Sequence, residues 1–347
     1  MAVCRKENGE MENMSVNDGT VLYALLEKCV EEIGFGHLLE APEQLSGGLL
    51  HRMFRVKTEK GIFALKLLNA QIMKRPLALR NMRLSEKAAE ELKRVIPLAG
   101  AVQIRGEHVH NCHEHWFMVY PWLEGKSVFP PRIQPAHCTR IGQILAAIHC
   151  TDVQVDGMEI ETPDVEVREW KQMISLCRDD ACKEMMLSLL PCILQWERKG
   201  YESALKLATE QVISHRDLDP KNVMWKGMWP ILIDWEAAGY INPWQEMAEC
   251  LFYWCDDGNG GLRKDCFQAF IEAYGKKVQL HGAPWQEALN AAYMGPAGWL
   301  YYNLRRTAGL EREDKVPIGV RQVKETLRLL QNRERLNNIL LAWLQEY

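Results

Sequence analysis

Two short runs of the chain carry residue types suited to moving a charged group. The first is Ile213, Ser214, His215, Arg216, Asp217, Leu218, Asp219, Pro220, Lys221 and Asn222; the second is Ile231, Leu232, Ile233, Asp234, Trp235 and Glu236. Phosphoryl transfer asks for little covalent work and rests on positioning and on neutralising phosphate charge. One carboxylate must face the acceptor hydroxyl and take its proton, and Asp217 suits that role. A second carboxylate and an amide oxygen must hold Mg²⁺ against the ATP phosphates, which suits Asp234 and Asn222. The five-residue step from Asp217 to Asn222 puts both on one tight loop. The twelve-residue step from there to Asp234 fits a short hairpin, with Val223 to Trp225 outward, a turn at Lys226 and Gly227, and Pro230 to Ile233 back. Such a hairpin returns Asp234 beside Asn222, as a shared metal site requires.

The rest of the chain must position those runs. Apolar spacing predicts a helix over 21–33, with Leu22, Leu25, Leu26, Cys29, Val30 and Ile33 on one side. Leu45 to Val56 and Ile62 to Leu68 read as strands around a Lys60-Gly61 turn, and Met82 to Val95 as a helix stopped by Pro97. Two further strands are expected over Ala101–Val109 and Trp116–Tyr120. From about Gly125 the pattern turns helical: Cys138–His149, Glu184–Arg198, Tyr201–Ala208 and most of 262–346, around one β-like stretch at 211–234. A small mixed lobe thus precedes a larger helical one. The expected division is a frayed polar segment 1–18, a small lobe 19–119, a junction 120–125 and a helical lobe 126–347.

Composition narrows the function classes. The chain has 347 residues with 47% apolar and 25% charged, enough for a sizeable core. A net charge of −4 argues against a general nucleic-acid binder, which needs a basic surplus. No run approaches the ~18 apolar residues of a membrane span, and the polar N-terminus lacks the core of a signal peptide. The 11 cysteines contain no CxxC pair and read as buried small hydrophobes in a reducing cytoplasm.

With these pieces together, the sequence resembles the aminoglycoside phosphotransferase and choline kinase group of the protein-kinase-like superfamily. His215-Arg-Asp217, followed after four residues by Asn222, matches the catalytic loop, and Asp234 matches the metal-binding Asp. The resemblance implies an α+β, two-lobed kinase-like fold, with a small lobe built on a five-stranded antiparallel sheet and a larger, mainly helical lobe. It also implies a catalytic role for the His215–Asp217 loop and a phosphate-gripping role for Lys66 in the strand Phe63-Ala-Leu-Lys66. The partner of that lysine is expected on the 82–95 helix, with Glu86 fitting best and Glu90, one turn on, as the alternative. Ser46, Gly47 and Gly48 stand where the family's sparse glycine loop caps the phosphates. Val119 and Tyr120 stand at the lobe junction, where backbone groups bind adenine. His149 matches a helix-end histidine and reads as structural. Glu246 replaces the family's usual Asp, and Arg216 the more common Gly.

The segment after Asp234 speaks to the acceptor. Asn242, Pro243 and Gln245 read as cap, first turn and third position of a helix, with Met247, Ala248, Leu251, Phe252 and Cys255 on its apolar face. Only seven residues separate Asp234 from that cap, too few for a peptide-docking platform, so the acceptor is expected to be a small alcohol. Residues 201–260 hold ten acids against four bases, which with Trp244, Trp254 and Trp299 is compatible with a cationic acceptor. A choline, homoserine or methylthioribose kinase, and a non-catalytic nucleotide-binding relative, are the alternatives to an aminoglycoside-type enzyme. The run His108, His110, Cys112, His113, His115 is read as a hairpin tip in preference to a zinc or nickel site.

Overall fold

A computed structural model describes residues 16–45, 50–160, 162–163, 168–311 and 313–347. The small lobe is built on one sheet. Helix α1 (Val16–Glu32) is followed by strands β1 (Glu43–Leu45), β2 (Arg52–Thr58) and β3 (Gly61–Leu67), then helices α2 (Ala70–Met73) and α3 (Ala78–Leu92), then β4 (His110–Cys112) and β5 (His115–Pro121). The strand order is β1-β2-β3-β5-β4, every pair antiparallel. Alternation along the strands decides the two faces. Phe54, Val56, Leu65, Leu67, Phe117 and Val119 pack against Leu26, Cys29 and Val30 of α1 and Ile33 just after it. Lys66, flanked in register by Met53 and Met118, therefore stands on the opposite face. The sheet presents that lysine toward the helical lobe.

The larger lobe contains α4 (Pro135–His149), α5 (Trp170–Ser175) and α6 (Asp180–Leu207), the short strands β6 (Val212–Ser214), β7 (Val223–Lys226), β8 (Trp229–Leu232) and β9 (Gly239–Ile241), and then α7 (Pro243–Trp254), α8 (Lys264–Gly275), α9 (Trp285–Ala291), α10 (Met294–Thr307) and α11 (Val316–Leu344). One continuous core joins α4, α7, α8 and α9 with the β7–β8 hairpin and the end of α11. A second joins α5, α6, α10 and the first half of α11. Among the described residues no helix is long and apolar enough to cross a membrane.

The two-lobed α+β expectation holds, with three corrections in detail. Residues 101–109 do not form a strand: Arg105 and Gly106 take left-handed backbone angles (φ 53° and 83°), and only an isolated bridge joins Ile104 to Glu107. The two helices expected at 184–198 and 201–208 are one 28-residue helix, α6. Gly200 does not break it, because the glycine serves packing; a Cβ there would stand 3.3 Å from Met294 and Tyr293. Helix α1 starts at Val16, inside the segment expected to be frayed, while residues 1–15 lie outside the described residues.

The closest approach in the main core is α4 on α8. A Cβ added at Gly142 would lie 2.4 Å from the Phe270 carbonyl oxygen and 3.3 Å from the Ala273 Cβ. Gly142→Ala should therefore push the two helices apart and lower stability by about 1–3 kcal/mol. Urea denaturation checks this, and an unchanged midpoint would show that the contact yields freely.

Candidate active site

Strand β6 pairs with β9 and delivers the chain into the loop that starts at His215. Arg216 then takes φ 63°, a left-handed conformation that costs a non-glycine residue roughly 1–2 kcal/mol. Three anchors hold that turn in place. The Arg216 N–H donates to Glu246 Oε1 at 2.6 Å, the Trp254 indole N–H donates to the Leu218 carbonyl at 2.9 Å, and the Asp219 carboxylate caps a 3₁₀ turn over Pro220–Asn222 by accepting from the Lys221 N–H at 2.8 Å. Within the loop, Asn222 Nδ2 donates to the Asp217 carbonyl (2.8 Å) and to Asp217 Oδ2 (3.0 Å). Lys221 Nζ lies 3.0 Å from the same Oδ2. Burial pushes the Asp217 carboxyl above its ordinary value, and the charge of Lys221 works against that rise.

The β7–β8 hairpin folds back as the spacing requires, with Val223 opposite Leu232. The Ile233 N–H donates to the Asn222 carbonyl at 3.0 Å, and His215 Nε2 donates to the Ile233 carbonyl at 2.9 Å. The loop carrying Asp217 and the segment carrying Asp234 are thus bonded to each other on both sides. Asp234 itself is left-handed (φ 62°, ψ 66°). Its Oδ1 lies 2.7 Å from Lys66 Nζ, so the ammonium of the small lobe meets the carboxylate of the large one. Glu236 Oε2 lies 2.5 Å from the same Nζ. Burial alone would lower the Lys66 pKa, but Asp234 and Glu236 together raise it.

Several expected residues are engaged differently from the sequence reading. Glu86 does not pair with Lys66. Its two oxygens accept from the Ala101 N–H at 2.7 Å and the Tyr120 hydroxyl at 3.1 Å, and burial raises its pKa. Glu90 is exposed and its nearest ionic neighbour is His108 at 3.8 Å. The Val119 carbonyl accepts the Val102 N–H at 2.7 Å and keeps a second lone pair, and the Tyr120 hydroxyl donates to Glu86. His215 is fully buried against Trp235, so it ties the two loops together and does not face the cleft. Ser46, Gly47 and Gly48 lie outside the described residues. Among the described residues, the one group of three metal-ligating side chains within mutual reach is Glu27, Glu31 and His37 on the exposed side of α1, and the histidines at 108–115 do not converge.

Other functional candidates escaped the sequence reading. His51, buried at the start of β2, accepts the Asn69 N–H on Nδ1 at 2.9 Å and approaches Glu236 with Nε2 at 3.3 Å. One histidine among ten gives no spacing signal for that contact. Lys221 stood in plain view four residues after Asp217. On α7, the expected cap is confirmed by Asn242 Oδ1 accepting from the Trp244 N–H, and Met247, Ala248, Leu251, Phe252 and Cys255 are buried as expected. Gln245, Glu249 and Tyr253 recur every four residues and so form a partly buried polar stripe. Burial pushes Glu249 up to about 7 despite a 3.0 Å hydrogen bond from Gln245. Burial, then the charges of Asp217, Asp219 and Glu249, raise the Tyr253 phenol.

Comparison with known proteins agrees with this arrangement. A model of the family described as "Phosphotransferase enzyme family" matches residues 42–285. A homoserine kinase of Parvibaculum lavamentivorans is 28% identical over 178 residues, 49% of this chain and 51% of that protein, so the match spans about half of that relative's length. A homoserine kinase of Afipia carboxidovorans is 25% identical over 256 residues, covering 73% of this chain and 75% of that protein. Spectinomycin phosphotransferase, solved with ADP and spectinomycin, superposes with a TM-score of 0.66 at 13% identity, over 90% of this chain and 98% of that one, a likeness of fold.

The anchor under the Asp217 loop yields a stability test. Glu246 is buried, accepts from the Arg216 N–H and lies 2.8 Å from His149 Nε2, whose Nδ1 lies 2.8 Å from the Tyr274 hydroxyl. Burial would raise the Glu246 pKa, yet His149 and the donors around it hold it below its ordinary value. A depressed carboxylate stabilises the fold above its unfolded pKa and loses that contribution as pH falls through its folded one. Glu246→Ala should cost about 3–5 kcal/mol near neutral pH, and the gap to wild type should narrow in acid. Urea melts at neutral pH and near pH 4 measure both, and a gap that widens in acid would refute the depressed carboxylate.

Proposed function

The chain belongs to the phosphotransferase enzyme family, and from that premise we propose that it transfers the γ-phosphoryl group of ATP to a hydroxyl of a small, amine-bearing alcohol. The observation that carries this reading is the bonded pair of loops that brings Asp217, Asn222, Asp234 and Lys66 into one cluster. Asp217 orients the acceptor hydroxyl and takes its proton as the oxygen attacks the γ-phosphorus. The bond from that phosphorus to the bridging oxygen breaks, and ADP leaves with the electron pair. Lys66 draws on the nucleotide phosphates, and Lys221 places a second ammonium 3.0 Å from Asp217, close to the transferred charge. His215 positions this machinery through Ile233 and is not itself a reacting group. The junction at 120–125 separates the lobes 19–119 and 126–347 in this reading: β5 ends at Pro121, and Lys126 is already bridged to Trp225 of the helical lobe.

The donor set fits Mg²⁺. Both Asn222 Nδ2 hydrogen bonds run to Asp217, which leaves the amide oxygen free of them, and Asp234 supplies a partly exposed carboxylate. Hard oxygen donors of this kind suit a hard cation. When bound there, Mg²⁺ neutralises phosphate charge.

The size and charge of the acceptor follow from the surroundings. A 3₁₀ turn at Trp235–Ala237 and the three residues of β9 fill the space between Asp234 and α7, leaving no peptide-sized shelf. The polar stripe on α7 carries Glu249, a partly buried carboxylate that would welcome an ammonium. Homoserine and spectinomycin, the substrates named for two of the relatives, are amine-bearing alcohols.

ADP release from Mg·ATP tests the reading across homoserine, choline, ethanolamine, methylthioribose and aminocyclitols including spectinomycin. Acceptor-dependent turnover is expected, and Asp217→Asn should reduce it by roughly 10²–10⁴-fold while nucleotide affinity stays at the wild-type level. Wild-type turnover in that variant would remove Asp217 from the mechanism. The amine requirement has its own pH signature. Glu249 in the free protein titrates near 7, and a cationic acceptor favours its ionised form. The acceptor KM should therefore fall as pH rises from 6 to 8, and Glu249→Gln should flatten that profile. A KM that rises over the same interval would eliminate the ammonium contact.

A further inference from the structure

We propose that Glu236, steadied by His51, is the brace that aims Lys66 at the nucleotide phosphates, the duty that sequence resemblance gave to Glu86. The proposal rests on the phosphotransferase reading and deepens it. Its starting point is the number of partners Lys66 has and what else each partner must do. Nζ meets two carboxylates, Asp234 at 2.7 Å and Glu236 at 2.5 Å. Asp234 is also the carboxylate that would hold the divalent cation, so its negative charge is shared between two cations. Glu236 has no second cation to serve. Its Oε2 accepts from Lys66 and lies 3.3 Å from His51 Nε2.

His51 is fixed in a way that makes it a dependable donor. A backbone N–H, that of Asn69, donates to Nδ1 at 2.9 Å, which only an unprotonated ring nitrogen can accept, so the hydrogen sits on Nε2 and points at Glu236. Asn69 is held in turn: its Nδ2 donates to the Leu50 carbonyl at 3.2 Å, and its Oδ1 caps α2 through the Gln71 N–H at 2.9 Å. His51 is 5% exposed and Lys66 5%, so the contact is sheltered from water and ions. The network therefore begins on the two chain segments that flank the β2–β3 hairpin, passes through Glu236 of the large lobe and ends on the lysine. Two of its members, His51 just before β2 and Lys66 in β3, belong to one hairpin, and the third reaches across the lobes.

Glu86 is engaged elsewhere: each of its oxygens holds a donor, those donors serve the fold, and Lys66 reaches it only through charge. The Ala101 N–H and the Tyr120 hydroxyl bind it to the loop after α3 and to β5. A Cβ on Gly100 would stand 3.1 Å from Glu86 Oε2, a measure of how closely that loop wraps the carboxylate. Glu86 thus fastens α3 to the sheet.

Nucleotide affinity measured without acceptor tests the brace, using ATP with Mg²⁺ against adenosine, which has no phosphates. Glu236→Gln should weaken ATP by roughly tenfold to a hundredfold, the worth of a charge-assisted contact, and leave adenosine as in wild type. Glu236→Asp should restore part of the ATP affinity, and His51→Leu, which keeps both charges, should lose affinity in the same direction by a smaller factor. In turnover assays the loss should appear in the KM for ATP, with the acceptor KM unmoved. If Glu236→Gln fails to fold, His51→Leu alone decides by the same contrast between ATP and adenosine. Full ATP affinity at Glu236→Gln, with affinity lost instead at Glu86→Gln, would overturn the brace and leave the kinase reading standing. A wild type that binds neither ATP nor adenosine would overturn both.

Discussion

A lysine buried in an apolar sheet sets the terms for the whole molecule. Taking an ammonium out of water without partners costs several kcal/mol or shifts its charge state, and among the described residues no carboxylate of its own lobe forms an ion pair with Lys66. Its partners come from 168 and 170 residues further along the chain. Once the small lobe places a cation on the inner face of its sheet, the large lobe has to present acids there, at a fixed height and angle. The same requirement explains why the other face of the sheet is closed by α1: with Phe54, Val56, Leu65 and Leu67 packed on that helix, the strand cannot slip in register and turn the lysine outward.

On the large lobe, acids are presented by backbone that would not choose its conformation unaided. Arg216 and Asp234 are both left-handed, and each is held by bonds from elsewhere. Glu246 grips the first turn from α7, and His149 of α4 grips Glu246 while Tyr274 of α8 holds His149. The bonds through Ile233 and Asn222 then carry that rigidity into the segment of Asp234. The core of α4, α7 and α8 is therefore the foundation of the site as well as of the lobe. A half-ångström tolerance at Asp217 depends on it, since pre-set donors and acceptors lose their advantage when they must reorganise.

Local rules carried the sequence reading as far as local interactions decide structure. The cap at Asn242 was legible because an Asn followed by Pro starts a helix whatever lies around it, and the Asp217–Asn222–Asp234 spacing was legible because a tight turn and a short hairpin fix it. The misses share one cause. Gly200 breaks no helix because Met294, ninety-odd residues away, needs the space. The stretch 101–109 alternates like a strand, but Arg105 and Gly106 turn left-handed to pair Ile104 with Glu107. Glu86 has the right type and helix position to meet Lys66, yet the nearer Ala101 N–H and Tyr120 hydroxyl claim it. His51 and Glu236 carry no pattern at all, since their contact exists only after both lobes have formed.

The division of labour around Asp217 bears on how such a site could change its acceptor. The phosphoryl-transfer groups are fastened mainly by backbone bonds within β6–β9 and by side chains pointing away from the acceptor. In the proposed reading the acceptor side is drawn from a different surface, the Gln245–Glu249–Tyr253 stripe of α7, backed by Arg333 of α11. That guanidinium lies 3.3 Å from the Phe252 ring centroid and donates to the Ala292 carbonyl at 2.9 Å, so it is fixed by stacking and one hydrogen bond while its charge reaches Glu249 and Tyr253. Substitutions on the exposed edge of that stripe leave Glu246, Asn222 and Ile233 untouched. Selectivity can thus drift along one helix face while the machinery beneath it stays fixed, because the two are held by different bonds.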